Sequence, residues 1–248
     1  MEWLETLRET SIPLPSLTHG EIPGDISTEI NFQGRSVGIV GLNSAWLQLC
    51  DGDYKERLHV DPRQLMAVTS GAPDEWCSNH DFNLLVTHHP QEWLHPSSLS
   101  SWRSEIYIPS RFDSHLFGHM HESNSTSISE GGAVRRRHMQ GASLFGLEFI
   151  ERKGLERIHG YSIYELENLG PSRKIKHWPR KSHRTNAGHF KLIQNPEFDC
   201  NDDGYAEEEY KPCSETTPSR TKAPEGSTIL LKPELQKEAL RPPTKNPA

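Results

Sequence analysis

Cysteine is scarce in this chain and shows no pairing in its spacing. Only Cys50, Cys77, Cys200 and Cys213 occur in 248 residues, and no Cys-x-x-Cys appears. This spacing argues against a disulfide framework and against a cysteine-built zinc site. Long apolar runs are missing as well. No stretch approaches the roughly 20 residues that a membrane-spanning helix needs, so no membrane association is expected. Positive charge is not in excess: 27 Lys and Arg face 34 Asp and Glu, a net charge of −7. General attraction to nucleic acid or to an anionic surface is thereby disfavoured. The start, Met1-Glu2-Trp3-Leu4-Glu5, has no basic-then-apolar signal pattern, and a cytoplasmic location is expected. No Gly-x-Ser-x-Gly occurs and no cysteine adjoins a convincing base, which leaves nucleophilic Ser or Cys catalysis without support.

What is present has a definite order. A short helical start (Trp3, Leu4, Leu7) precedes a loop through Pro23-Gly24-Asp25. Three apolar runs of strand length follow: 37–42, 84–87 and 112–117, each bounded by turn residues in the manner of buried strands of a layered α/β sheet. Helices are expected at 62–69, after Asp61-Pro62, and at 97–105, after His95-Pro96. Beyond residue 124 the pattern turns to short strands, at 125–129, 143–150, 158–166, 173–178 and 188–193, which read as a second sheet packed on the first. From 199 onward come Glu207-Glu208-Glu209, seven prolines and one apolar cluster, Ile229-Leu230-Leu231. Such a composition buries too little surface to offset chain entropy. The expected organisation is a domain over 1–198 and a disordered acidic, proline-rich tail over 199–248.

Each of the three runs stops at a residue able to bind metal: Asn43, His88, and the pair His119/His121 in Gly118-His119-Met120-His121. Ligands of open α/β sheets collect beyond the carboxyl ends of the strands. If the runs are neighbouring strands, their loops share one edge and four N or O donors meet there. Such a donor set suits Zn, Mn or Fe better than Ca or Mg. Of His88 and His89, one is read as a ligand and the other as orienting it or facing substrate. His115, inside the third run, is read as packing or hydrogen-bonding. His19, His59, His95, His138, His159, His177, His183 and His189 are read as surface or hydrogen-bonded residues.

The order Gly41-Leu42-Asn43, then Thr87-His88-His89-Pro90, then Gly118-His119-Met120-His121 resembles the calcineurin-like metallophosphoesterases, over roughly residues 20–195. The wider wording around Asn43 and around His119 is similar to bacterial members of that superfamily. The resemblance implies an α/β fold, a double β-sandwich flanked by helices, with a two-metal site at the strand ends. It implies that Asn43, His88 and His119 bind the second metal and His121 the first. A metal-activated hydroxide would then attack a phosphomonoester or phosphodiester.

The same resemblance calls for an N-terminal Asp-x-His and a Gly-Asp-x-x-Asp. Before Asn43 the chain has neither: Gly24-Asp25 lacks a carboxylate three residues on, and Gly52-Asp53-Tyr54-Lys55-Glu56 comes too late in the order. The expectation is a fold incomplete at its N-terminal side, beginning inside the domain. It would hold one ion rather than the family's two, and its exposed sheet edge would be open to a protein partner. Ser44 stands where many members carry a histidine beside the asparagine, so the general-acid role is vacant or falls to His89, the candidate catalytic residue. The expected partner is a phosphate ester, with a protein partner on the open edge or on the tail. The competing expectation is a catalytically impaired metal sensor or interaction module. Arg135-Arg136-Arg137 and the basic run 174–184 read as solvated faces rather than as a nucleic-acid site.

Overall fold

Along 82–86 the side chains alternate without becoming polar on either side: Phe82 and Leu84 belong to one apolar cluster, Leu85 to another. A strand of this kind needs cover on both faces. The computed structural model describes residues 15–109, 111–119, 124–129, 135–143, 146–150 and 154–211, and supplies that cover from two directions.

The central element is a seven-stranded sheet. Its members are β1 (Leu17–His19), β2 (Ile26–Phe32), β3 (Arg35–Gly41), β4 (Phe82–Val86), β5 (Ser114–Phe117), β6 (Asn124–Ile128) and β7 (Arg136–Gln140), in the order β1-β2-β3-β4-β5-β7-β6. Strands β3, β4, β5 and β7 run parallel, while β1, β2 and β6 are antiparallel to their neighbours. The parallel core requires crossovers, and the first two contain α1 (Pro62–Val68), α2 (Pro73–Ser78) and α3 (Pro96–Ser101), the last running into a π-helical turn Trp102–Ile106. Helix α1 begins where Asp61 and Gln64 form a reciprocal capping box with Pro62 in the first turn, the start that Asp61-Pro62 predicts. These segments bury Leu65, Val68, Cys77, Trp102 and Ile106 against Val40, Leu42 and Leu85 of the sheet.

The opposite face meets a second sheet of β10 (Gly160–Asn168), β11 (Arg173–Arg184), β12 (Phe190–Gln194) and β13 (Ala206–Tyr210). Leu166 packs on Val37 and Phe82, and Ile175 and Tyr210 pack on Met139. Strand β11 is long enough to pair β12 and β13 in tandem, through residues 180–184 and 173–177 respectively. A separate hairpin joins β8 (Gly146–Ile150) to β9 (Gly154–Ile158). The fold is thus a mixed α/β arrangement with two main sheets and few helices. No helix among the described residues is long and apolar enough to cross a membrane.

Several expectations change. The loop expected before residue 30 contains β2, which pairs with all of β3 from Ile26↔Gly41 to Phe32↔Arg35. The edge of β3 is thus filled by an antiparallel neighbour, and the sheet ends on this side at β1. Order also continues past 198. Strand β13 lies inside the stretch assigned to the tail, because its glutamates meet cations across the sheet. Arg137 Nε and Nη2 each donate to Glu208 at 3.0 Å, and Lys174 Nζ stands 3.7 Å from Glu207. Arg137 is consequently not a solvated residue: it is 2% exposed, with its guanidinium 3.5 Å over the Tyr210 ring. The short helical start and residues 212–248 lie outside the described residues.

Candidate metal centre

The parallel register decides where the three runs end. Gly41 is level with Val86, and Val86 with Leu116, so the chain leaves β3, β4 and β5 at one edge. The ladder persists a little further: Leu42 N–H donates to Val86 O at 2.9 Å, Thr87 N–H to Leu116 O at 3.0 Å, and Gly118 N–H to His88 O at 3.1 Å. These bonds carry the Thr87-His88-His89 and Gly118-His119 segments side by side.

Three imidazoles meet there. His88, His89 and His119 each offer a ring nitrogen, all within 4.8 Å of one another. His88 Nε2 and His119 Nδ1 are 3.2 Å apart. His119 adopts a left-handed backbone, φ 70°, which is unfavourable for a residue with a Cβ, and its ring lies 5.1 Å from that of His88 and 4.5 Å from that of His89, centroid to centroid.

His89 is the buried member, 1% exposed. The Ser44 hydroxyl accepts its backbone N–H at 3.0 Å and lies 3.0 Å from Nδ1. Its Nε2 is buried without a hydrogen-bond partner among the described residues. Burial, with the neighbouring His88 and His119 rings adding to it, pushes the His89 pKa down to about 4. The ring is neutral at pH 7, which suits a ligand better than a cationic acid. In the tautomer whose Nδ1–H is directed to Ser44, Nε2 presents its lone pair to the cluster, and a bound cation would select that tautomer.

Trp93 closes one side. Pro90 opens a 3₁₀ turn, Gln91–Trp93, held by Trp93 N–H to Pro90 O at 3.1 Å, and the turn folds the indole back. It stacks on His89 with centroids 5.4 Å apart and meets His119 edge-on at 4.2 Å. Nothing in the His-His-Pro spacing marks Trp93 as part of the site; the signal is Pro90 followed by an aromatic at the close of one short turn.

Asn43 occupies the same edge, and its side chain makes turn hydrogen bonds. Its Oδ1 accepts Ala45 N–H at 2.8 Å, and its Nδ2 donates to Pro23 O at 2.8 Å. Its backbone N–H donates to Asp25 Oδ1 at 2.7 Å, and Gln64 Nε2 donates to that same oxygen at 2.9 Å. The Asn43 side-chain bonds are the ordinary use of an asparagine after a strand. Ser44, one residue on, is the β3-end residue that touches a histidine. His121 lies outside the described residues. Beyond the three histidines, no carboxylate or thiol joins the cluster among the described residues.

No protein-family model and no curated protein matches the chain. Among solved structures it is similar to Chaetomium thermophilum Vps29, at 6% identity and a TM-score of 0.26, covering 75% of this chain and 59% of that one. It is also similar to a hypothetical protein from Thermus thermophilus, at 11% identity and a TM-score of 0.37, covering 86% of this chain and 72% of that one. The chain therefore spans about 59% of the length of Vps29. Likenesses this loose decide nothing about function, which is left to the site itself.

Proposed function

We propose that this chain is a metal-dependent phosphoesterase of the calcineurin-like type, acting on a phosphomonoester or phosphodiester, with His88, His89 and His119 holding one divalent transition ion. The observation that carries the reading is the three-imidazole cluster at the adjacent ends of parallel β4 and β5. It falls in the motif order by which the sequence resembles that superfamily.

The residues fit one ion. The 3.2 Å between His88 Nε2 and His119 Nδ1 matches the edge of about 3.3 Å for a tetrahedron with N ligands at about 2.0 Å. The buried, unpartnered His89 Nε2 is the orphan such a site would satisfy. Neutral nitrogen donors favour Zn, Mn or Fe over Ca or Mg. A second ion would need His121 and carboxylates from outside the described residues. Bound at the three rings, a divalent ion supplies Lewis-acid polarisation of a phosphoryl oxygen. The chain's own residues prepare that place: Ser44 orients His89, Trp93 keeps water from one flank, and the left-handed turn at His119 brings the third ring in.

The second reading is a metal-binding sensor or interaction module without turnover. The absence of any carboxylate from the cluster among the described residues favours it, since nothing but imidazole stands ready there to manage a proton. One experiment separates the two. The full chain is purified, bound Mn, Zn and Fe are counted, and hydrolysis of a diester with a good leaving group is compared with a His88→Ala/His119→Ala variant. Metal-dependent turnover above that variant supports the enzyme. Near-stoichiometric metal without such turnover supports the module, and a metal-free protein that takes up none of the three ions removes both.

A further inference from the structure

Behind the cluster lies a buried line of hydrogen bonds whose direction is fixed. The Thr87 hydroxyl is 2.6 Å from the His89 carbonyl oxygen and 2.8 Å from His115 Nε2. A carbonyl only accepts, so the one hydroxyl proton goes to His89 O. Toward His115 the hydroxyl must accept, and Nε2 therefore carries a proton. His115 is wholly buried, and burial holds its ring neutral, which leaves Nδ1 bare. That nitrogen lies 3.3 Å from His138 Nδ1, which must then be the donor. The line runs from β7 through β5 to the end of β4: His138 N–H to His115, His115 N–H to Thr87, Thr87 O–H to the His89 carbonyl. Trp102 at 4.9 Å and Tyr107 at 5.7 Å wall in the His115 ring.

The line ends at the backbone between two cluster histidines and a proline. Pro90 has no N–H, so the His88-His89 corner receives no hydrogen bond from that position. The only hydroxyl bond to the His89 carbonyl recorded among the described residues comes from Thr87.

We propose that Thr87 is a positioning residue for the imidazole cluster: held by His115 and His138, its hydroxyl clamps the His89 carbonyl and fixes the direction in which His88 and His89 present their rings. The inference rests on the metal-centre reading for its purpose, and on the hydrogen-bond geometry for its existence.

The test uses the full chain as wild type, Thr87→Val and Thr87→Ser. Zinc binding is measured by calorimetry, and ¹⁵N imidazole spectra are recorded on the zinc-free proteins. Thr87→Val is expected to bind Zn²⁺ about 10–100-fold more weakly, the usual penalty for losing a residue that orients a ligand. Thr87→Ser restores the hydroxyl and is expected to bind within about threefold of wild type. In the zinc-free spectra the His89 ring signals move in Thr87→Val and return in Thr87→Ser.

If wild type takes up zinc and Thr87→Val matches it with unmoved His89 signals, the clamp is overturned and the metal centre stands. If wild type takes up no zinc but the ring signals still follow the hydroxyl, the metal centre falls and the clamp stands. Equal weakness of Thr87→Ser and Thr87→Val points to packing rather than the hydroxyl, and also overturns the clamp. Should Thr87→Val not fold, His115→Gln and His115→Leu replace it. Glutamine keeps an N–H donor where Nε2 lies, so it should retain zinc affinity while leucine loses it; the same affinity in both overturns the proposal.

Discussion

The two faces of the seven-stranded sheet are covered by opposite chemistry. On one, Val40, Leu42 and Leu85 meet Leu65, Trp102 and Ile106 from segments close by in the chain. On the other, apolar contact is supplemented by charge: Arg137 holds Glu208 across 71 residues, and Arg173 Nη1 sits 2.6 Å from Asp113 Oδ1 across 60. Tyr210 Oη also donates to Asp113 at 2.9 Å. Cover arriving through a short crossover is already roughly in place, and undirected apolar burial is enough to hold it. Cover arriving from far along the chain must be aligned residue by residue. Strand β13, Ala206–Tyr210, has three consecutive glutamates and little apolar surface, so its ion pairs select one register more than they add net stability.

The comparison is broken most severely by acid. Burial pushes His138, on the helix-covered face, and His177, in the second sheet, down to about 4, as it does His89. Unfolded histidine titrates near 6.5, so between about pH 6.5 and 4 the unfolded chain binds more protons. Stability is therefore full above pH 6.5 and falls as the pH drops toward 4, by on the order of 1–3 kcal/mol per ring. Thermal melts across this range should show the fall, and His138→Gln and His177→Gln should each flatten it. A stability independent of pH over that interval would contradict the burial assignments.

Next in size is Trp102→Ala. It removes a side chain only 1% exposed and should cost about 3–5 kcal/mol in denaturant unfolding. On the other face Glu208→Gln should cost about 1–3 kcal/mol, because it strips a buried guanidinium of its counter-charge. Adding Arg137→Met should recover much of that loss, giving a clear coupling in a double-mutant cycle. Additive losses would mean that the pair does not act as a unit. The smallest effect belongs to the metal edge: Asn43→Ala loses a turn bond, costing about 1 kcal/mol, and leaves the number of zinc ions bound per chain unchanged. A drop in bound zinc would restore Asn43 as a ligand.

What the sequence reveals divides along the same faces. The runs at 37–42 and 84–87 are legible because their apolar residues satisfy both faces of a parallel strand, whereas 112–117 is marked by Phe112, Leu116 and Phe117 around the buried polar Asp113, Ser114 and His115; the histidines follow the second and third runs. Strand β2 is hidden by inverted patterning. Its buried positions include Ser27 and Thr28, with Ser27 Oγ donating to Val68 O at 2.6 Å, while Phe32 is 40% exposed. Strands β7 and β13 are hidden because Arg135-Arg136-Arg137 and Glu207-Glu208-Glu209 each look solvated alone. Of these six only Arg137 is buried, and its burial depends on meeting Glu208. At the site, the histidines are readable from spacing, whereas Ser44, Trp93 and Thr87 depend on contacts that no local pattern contains.

The left-handed turn at His119 has a consequence for how such a chain would change under selection. Glycine or asparagine would relieve that backbone at once, and each would delete the third ring. A campaign that enriched variants for thermal tolerance alone would therefore erase the centre early. Retention of histidine at a position where the polypeptide resists it would, in a laboratory lineage, report that the cluster was still in use.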